Sequence, residues 1–226
     1  MSSFLLVHGG WGGSWQWEEI GPELINMGHT IHTPDLPGMD DSGLKKISLE
    51  DHISFLDEII IESKEKLLLT AFSFGGLAST AAAARHPEKI KKIIYLDAFI
   101  PLPGENFIDI VGHKMANKIM SIRGQFKDKG KFPPIMPSDD RYRGHPFQTI
   151  FGKVNYKSAD LLKLRPYYIH FTKKNPQWSF YDILEYQYKK SLEIGMSSRD
   201  VDTDHVLPGT RGKEIAAILN EIAAVD

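Results

Sequence analysis

Leu67-Leu68-Leu69-Thr70-Ala71-Phe72-Ser73-Phe74-Gly75-Gly76, continuing into Leu77-Ala78-Ser79-Thr80-Ala81-Ala82-Ala83-Ala84, is the stretch that decides the fold. Its leading apolar and small residues read as a buried strand, and the alanine-rich run after the glycines reads as a helix. Between them stands a serine with Ala71 and Gly75 two residues away on either side. Strand, tight turn, serine, helix is the layout of a nucleophile elbow, in which a strained corner exposes a hydroxyl. Small residues are needed at both flanking positions because the strand and helix backbones nearly touch there, and a larger Cβ would clash. The competing reading is an ordinary buried strand and helix with a serine at the cap by chance.

A second glycine-rich turn follows the first apolar run, in Phe4-Leu5-Leu6-Val7-His8-Gly9-Gly10-Trp11-Gly12-Gly13-Ser14. Acyl transfer at such an elbow needs two backbone N–H donors aimed at one point. One comes from the residue after the nucleophile, the other from the first strand-to-helix loop. Phe74 and Gly10 are the expected donors, and Gly9, Trp11 and Phe72 are expected to border the substrate. Glycine-rich turns before helices also bind phosphate. However, Gly10-Trp11-Gly12-Gly13 has neither the P-loop lysine nor a clean GxGxxG spacing, which favours the oxyanion reading.

Near the end, Val201-Asp202-Thr203-Asp204-His205-Val206 follows a short strand-like stretch from Met196 to Val201, and a helix begins shortly after Pro208-Gly209. A histidine on the loop between the last strand and the last helix can reach a serine across the top of a sheet as its general base. Of the nine histidines, His205 alone has that position. His8 precedes the glycines and is expected to pack, and His86 ends a helix before a proline, where it complements the helix dipole.

With these motifs in place the chain resembles the α/β-hydrolase superfamily, and within it the small-capped group of plant-type methylesterases, hydroxynitrile lyases and related bacterial esterases. The similarity runs through Val7-His8-Gly9-Gly10, Asp35-Leu36-Pro37-Gly38, the elbow, Tyr95-Leu96-Asp97-Ala98-Phe99-Ile100-Pro101 and Asp204-His205. The elbow departs from the family in having Ala71 for the usual first glycine and Phe72 for the common histidine or glutamate. The resemblance implies an α/β fold, a mostly parallel sheet with helices on both faces and an inserted cap. In lyase relatives a threonine follows the first-loop histidine and a lysine follows the catalytic histidine. Gly9 and Val206 stand there, so lyase chemistry is not expected.

The catalytic acid is the awkward element. In many relatives an aspartate follows the next-to-last strand, here Tyr167-Tyr168-Ile169-His170-Phe171-Thr172, but in this chain Lys173-Lys174-Asn175-Pro176 occupies that place. An imidazole without a partner to fix its tautomer is a poor base. Asp97 closes the strand after the elbow helix, at the same edge of the sheet, and is the expected replacement. Asn175, or no acid at all, is the alternative. Asp35 lies on the wrong side of the elbow and is expected to cap a turn, and Asp204 to point away from the site that His205 enters.

Strand and helix patterns alternate along most of the chain, which argues for a parallel sheet covered on both faces. Strands are expected near 3–8, 29–34, 66–72, 90–96, 166–172 and 196–202. Helices are expected near 14–27, 48–64, 74–86, 177–193 and 210–224, with a capping box at Ser48 and Asp51 and a stop at Gly28. The alternation fails between Pro101 and Arg165. Residues 1–100 and 166–226 are therefore expected to form the core and 101–165 an inserted cap over the site. Its scattered Met and Phe residues suggest an apolar pocket, with Met115 and Met120 as candidate lining residues.

Twenty-seven Lys and Arg against 29 Asp and Glu leave a net charge of −2, with no footprint for nucleic acid or an anionic membrane. The absence of cysteine excludes disulfides, thiolate ligands and a cysteine nucleophile, and fits a cytoplasmic setting. Met1-Ser2-Ser3 runs into the first strand without a signal-peptide pattern, and no apolar run is long enough to span a bilayer. The histidines lack metal-ligand spacing, so neither metal nor cofactor is expected.

The expected activity is hydrolysis of a small, largely apolar ester or thioester through an acyl-enzyme. Ser73 is the nucleophile, His205 the base and Asp97 the orienting acid. The partner is that small molecule, and a homodimer is the one further association left open. A biosynthetic acyl-processing enzyme using the same triad, and a non-catalytic ligand-binding protein on this fold, are the alternatives.

Overall fold

The computed structural model describes residues 1–39, 46–124, 130–134, 139–173, 180–207 and 211–225. Six strands form one sheet: β1 (Ser3–Val7), β2 (Thr30–His32), β3 (Leu67–Phe72), β4 (Ile90–Leu96), β7 (Tyr167–Phe171) and β8 (Ser197–Val201). Their spatial order is β2-β1-β3-β4-β7-β8, and every neighbouring pair is parallel. Successive residues of a strand point to opposite faces, so each strand supplies two cores. Leu5, Val7, Leu67, Leu69, Ile93 and Tyr95 pack on one side against α2 (Leu49–Glu62) and α3 (Gly75–Arg85). Phe4, Leu6, Leu68, Ile94, Leu96 and Ile169 pack on the other against α1 (Gly21–Asn26) and α7 (Gly212–Ala224). The remaining core helix is α6 (Tyr181–Glu193).

Local chemistry sets most boundaries. The Ser48 hydroxyl accepts the Asp51 N–H and the Asp51 carboxylate accepts the Ser48 N–H, the expected capping box at the start of α2. After α1 the chain turns at Gly28, whose φ of 85° is costly for any side chain. The helix expected over 14–27 is not continuous. A 3-10 turn at Ser14–Trp17 is followed by a fresh start at Gly21, where Pro22 has no N–H to continue an earlier ladder. The expected helix starts at 177 and 210 and the Pro208-Gly209 turn lie outside the described residues.

The inserted segment is more structured than its composition suggested. It holds α4 (Phe107–Gly124), broken at Gly112 with φ 73°, a two-residue antiparallel ribbon of β5 (Lys131–Phe132) and β6 (His145–Pro146), a 3-10 turn at Phe147–Phe151 and α5 (Ser158–Lys163). Buried side chains of α6 fasten its start. Gln187 Oε1 accepts the Ile100 N–H at 2.9 Å, and Lys190 Nζ donates to Ile100 O at 2.9 Å and to Glu105 at 3.1 Å. Trp11 ties it to the first loop, donating through Nε1 to Phe132 O at 3.1 Å and accepting the Arg143 N–H on its carbonyl at 2.8 Å. β1, at the point where strand order reverses, and β3 both end on the edge where an open α/β sheet places its ligands.

Candidate active site

Ser73 stands at the carboxyl end of β3 with φ 51°, a conformation few side-chain-bearing residues adopt. Its N–H donates to Leu96 O, and its carbonyl accepts the N–H groups of Gly76 and Phe99. The corner is so tight that glycine is required just after it. A Cβ on Gly75 would lie 2.5 Å from His8 O, and one on Gly76 2.2 Å from Phe99 O. The serine is thus held by contacts on both sides of the turn.

Two buried side chains converge on it. His205 Nε2 is 2.8 Å from Ser73 Oγ, and His205 Nδ1 is 2.6 Å from Asp97 Oδ2. A carboxylate only accepts, so Nδ1 carries the proton and Nε2 presents a lone pair to the serine hydroxyl. Asp97 is 1% exposed, directly follows β4 and also has positive φ, 43°. Its N–H donates to Ile169 O at 2.8 Å and its Oδ1 accepts the Phe171 N–H at 3.4 Å, so β7 fixes the carboxylate. Phe72 packs its ring on the His205 imidazole, centroids 4.8 Å apart. Asp204 turns back to accept the Val206 N–H, as expected. Asn175, the alternative position for the acid, lies outside the described residues.

The first loop closes the other side. His8 is fully buried; it donates from Nδ1 to Gly9 O and accepts the Leu36 N–H on Nε2, and burial pushes its pKa below the ordinary 6.5. Gln16 Oε1 accepts the Gly9 N–H at 2.9 Å, and a Cβ on Gly12 would fall 2.2 Å from that oxygen. Asp35, expected to cap a turn before Pro37, instead accepts the Ser14 N–H and hydroxyl across the first loop. Gly10 lies against the elbow, its Cβ position 3.4 Å from Phe74 Cβ. Among the described residues neither the Gly10 nor the Phe74 N–H donates to a partner outside the helix and strand ladders.

Trp11, Ser73, Phe74, Phe99, Phe107, Phe180 and His205 line the hollow at the serine. The expected lining set therefore needs correction. Met120 is 44% exposed, because it falls on the outer side of α4, and Met115, half-buried, packs against the edge of the core cluster instead. Gly9 and Phe72 are also not in the lining. Gly9 acts by leaving room, since a Cβ there would meet Phe72 Cδ1 at 2.9 Å and Ser73 Cβ at 3.0 Å, while Phe72 backs the histidine. Sequence reasoning missed Phe99, Phe180 and Gln16, and held Phe107 only as one of the apolar residues scattered through 101–165. Only Phe99 carried a local signal, two residues past Asp97.

The profile of a family described as alpha/beta hydrolase fold matches residues 3–161. A carbendazim hydrolyzing esterase of Nocardioides sp. (strain SG-4G) is 34% identical over 116 residues, which is 49% of this chain and 48% of that protein. Methylesterase 9 of Arabidopsis thaliana is 35% identical over 161 residues, 69% of this chain and 59% of that protein. The chain thus spans about half the length of the curated relatives it matches. Among solved structures, an extracellular alpha/beta-hydrolase from a Paenibacillus species superposes with a TM-score of 0.80 at 21% identity, covering 98% of both chains. A pyrethroid hydrolase from Sphingobium faniae JZ-2 gives 0.76 at 16% identity over 98% and 97%. At these identities the two structures show the shared fold.

Proposed function

The chain belongs to the alpha/beta hydrolase fold family, and from that premise we propose that it hydrolyses small, largely apolar carboxylic esters or thioesters with Ser73 as nucleophile. The observation that carries this reading is the hydrogen-bonded line Ser73 Oγ, His205 Nε2, His205 Nδ1, Asp97 Oδ2. Ser73 Oγ attacks the carbonyl carbon as its proton passes to His205 Nε2, and the carbonyl oxygen becomes an oxyanion facing the Gly10 and Phe74 N–H groups. Collapse breaks the bond to the leaving alcohol or thiol, which takes the proton from Nε2. Water, deprotonated by the same nitrogen, then attacks the acyl-serine and releases the acid. Asp97 holds the Nδ1–H tautomer and stabilises the imidazolium that forms in each half-reaction.

Residues 101–165 act as the cap in this mechanism. Phe107, at the start of α4, borders the serine, so the segment sets which acyl and alcohol groups fit. The walls are aromatic, which suits apolar esters over charged ones. The relatives named for esterase activity support the same class of reaction. The non-catalytic alternative rested on a missing acid, and the carboxylate on His205 Nδ1 favours the catalytic reading over it. Gly9 and Val206, in place of the threonine and lysine of the lyases, argue against cyanohydrin cleavage. No helix among the described residues is long and apolar enough to cross a membrane, and the proposal keeps the cytoplasmic setting with which a chain without cysteine is compatible.

Turnover of p-nitrophenyl acetate and butyrate by wild type and Ser73→Ala tests the assignment. The variant is expected to lose essentially all turnover while keeping its circular dichroism spectrum and thermal midpoint. Full activity in the variant contradicts it.

A further inference from the structure

Gly9 has no room for a side chain. A Cβ there would meet Phe72 Cδ1 at 2.9 Å and Ser73 Cβ at 3.0 Å, so the nucleophile corner admits only a hydrogen. Glycine is also the residue whose φ and ψ are least restricted by its own atoms. The peptide unit that follows carries Gly9 O at one end and the Gly10 N–H at the other, and in a planar trans unit these point in opposite directions. The aim of the Gly10 N–H, the oxyanion donor, is therefore set by the torsions of a residue that cannot fix them itself.

Two buried side chains hold those torsions from outside. His8 Nε2 accepts the Leu36 N–H at 3.0 Å, so Nδ1 carries the proton and donates it to Gly9 O at 2.8 Å. That bond orients the peptide unit after Gly9. Gln16 Oε1 accepts the Gly9 N–H at 2.9 Å, which orients the unit before it. With the planes on both sides of its Cα held, Gly9 keeps one conformation. Gln16 reaches back seven residues to make this bond. It stands in the 3-10 turn Ser14–Trp17, donates its own N–H to Gly13 O at 3.0 Å, and is 2% exposed. Its amide fills the inside of the loop so closely that a Cβ on Gly12 would fall 2.2 Å from Oε1.

We propose that Gln16 is a positioning residue for acyl transfer, one that keeps Gly9 in the conformation presenting the Gly10 N–H to the oxyanion. The proposal rests on the esterase reading, since only an oxyanion formed at Ser73 gives the Gly10 donor its role. Gln16 is not among the residues lining the serine hollow, so it acts through the loop and not on the substrate. A neutral carbonyl uses the donor less than the oxyanion does. Loosening the loop is therefore felt in kcat, with KM nearly constant. Removing one oxyanion donor outright costs about 10²–10³ in kcat. A donor still present but free to swing costs less, about 10- to 100-fold.

Two variants and a pair of ketones test this. Gln16→Met keeps the side-chain length without an acceptor, and Gly12→Ala pushes the amide aside while Gln16 remains. With p-nitrophenyl butyrate, both are expected to lower kcat about 10- to 100-fold and to leave KM within about threefold of wild type. Trifluoromethyl propyl ketone accepts Ser73 Oγ at its carbonyl carbon as the serine proton passes to His205 Nε2, leaving a hemiketal oxyanion at the donors. Methyl propyl ketone binds without adding. Ki for the first is expected to rise in step with the fall in kcat/KM, and Ki for the second to stay within about threefold. Partial unfolding does not give that contrast, because it removes sites without changing their affinity. A folded Gln16→Met enzyme with kcat within about threefold of wild type, a change confined to KM, or equal shifts of the two Ki values overturns the proposal. Where Gln16→Met does not fold, Gly12→Ala decides on the same criteria. Failure of the esterase reading looks different: wild type turns over no ester and forms no ketone adduct. Hydrogen exchange of the Gly9 amide, slow in wild type and about tenfold faster in Gln16→Met, then still shows whether Gln16 holds the loop, and equal exchange in the two overturns that part by itself.

Discussion

Ser73, Asp97 and Trp11 are three of the four non-glycine residues with positive φ among the described residues, and all three belong to or border the hydrogen-bonded Ser73–His205–Asp97 cluster. Each such conformation costs about 1–3 kcal/mol and persists only where surrounding structure enforces it. At Ser73 the enforcing contacts are the approach of Gly75 to His8 O and of Gly76 to Phe99 O. Gly75→Ala is therefore expected to lower the urea midpoint by the equivalent of about 1–3 kcal/mol. Ester turnover should fall further than that loss of folded protein explains, and an unchanged midpoint counts against so close an approach. Asp97→Asn is expected to lower kcat by about 10³–10⁴ with the fold retained, because the amide can hold the wrong imidazole tautomer. A loss under tenfold in steady-state kinetics excludes Asp97 as the acid. At this scale the sequence was most legible where chemistry forces a residue type. Ser73 and His205 announce themselves through their turns, and Asp97 through its place at a strand end. The aromatic wall did not, because Phe99, Phe107 and Phe180 are distant in the chain and meet only through the packing of 101–165 and α6.

The strands match their sequence boundaries to within a residue or two, since a buried parallel strand reads as a short apolar run between turns. Helices were legible where a cap or glycine stop marked them, and less so where Pro22 divides 14–27 into two turns of different type. The inserted segment was the least legible element. Its α4 breaks at Gly112, and Met120 falls on its exposed side, so a greasy residue in the right interval was no guide to the pocket. Phe107 is the better probe. Phe107→Ala removes a ring that borders the serine hollow and packs edge-on against Phe74 and Phe99 at 5.0 and 5.1 Å. In a p-nitrophenyl ester series the preferred acyl length is expected to shift upward, with kcat/KM for acetate falling and that for octanoate rising. An unaltered length profile denies the segment its role as a specificity cap.

Across the whole molecule the buried histidines make stability depend on pH. His52 is held neutral by burial, with its pKa lowered from 6.5 to about 4, and His8 and His145 are shifted the same way. An unfolded histidine binds a proton below pH 6.5 while the folded one stays neutral until about pH 4. The unfolded state thus carries more protons in that window, and stability falls as pH drops through it. For His52 the full effect is on the order of 3 kcal/mol. The urea midpoint is expected to decline steeply between pH 7 and pH 4.5, and less steeply in His52→Gln; equal slopes contradict a neutral buried imidazole.

The central claim, that Ser73 is an activated nucleophile served by His205 and Asp97, is tested most directly by fluorophosphonate labelling followed by peptide mass analysis. One adduct is expected, on the peptide carrying Ser73, forming rapidly in wild type, slowed by orders of magnitude in His205→Ala and Asp97→Asn, and absent in Ser73→Ala. An adduct on another residue, or a rate at Ser73 indifferent to loss of His205, would contradict it.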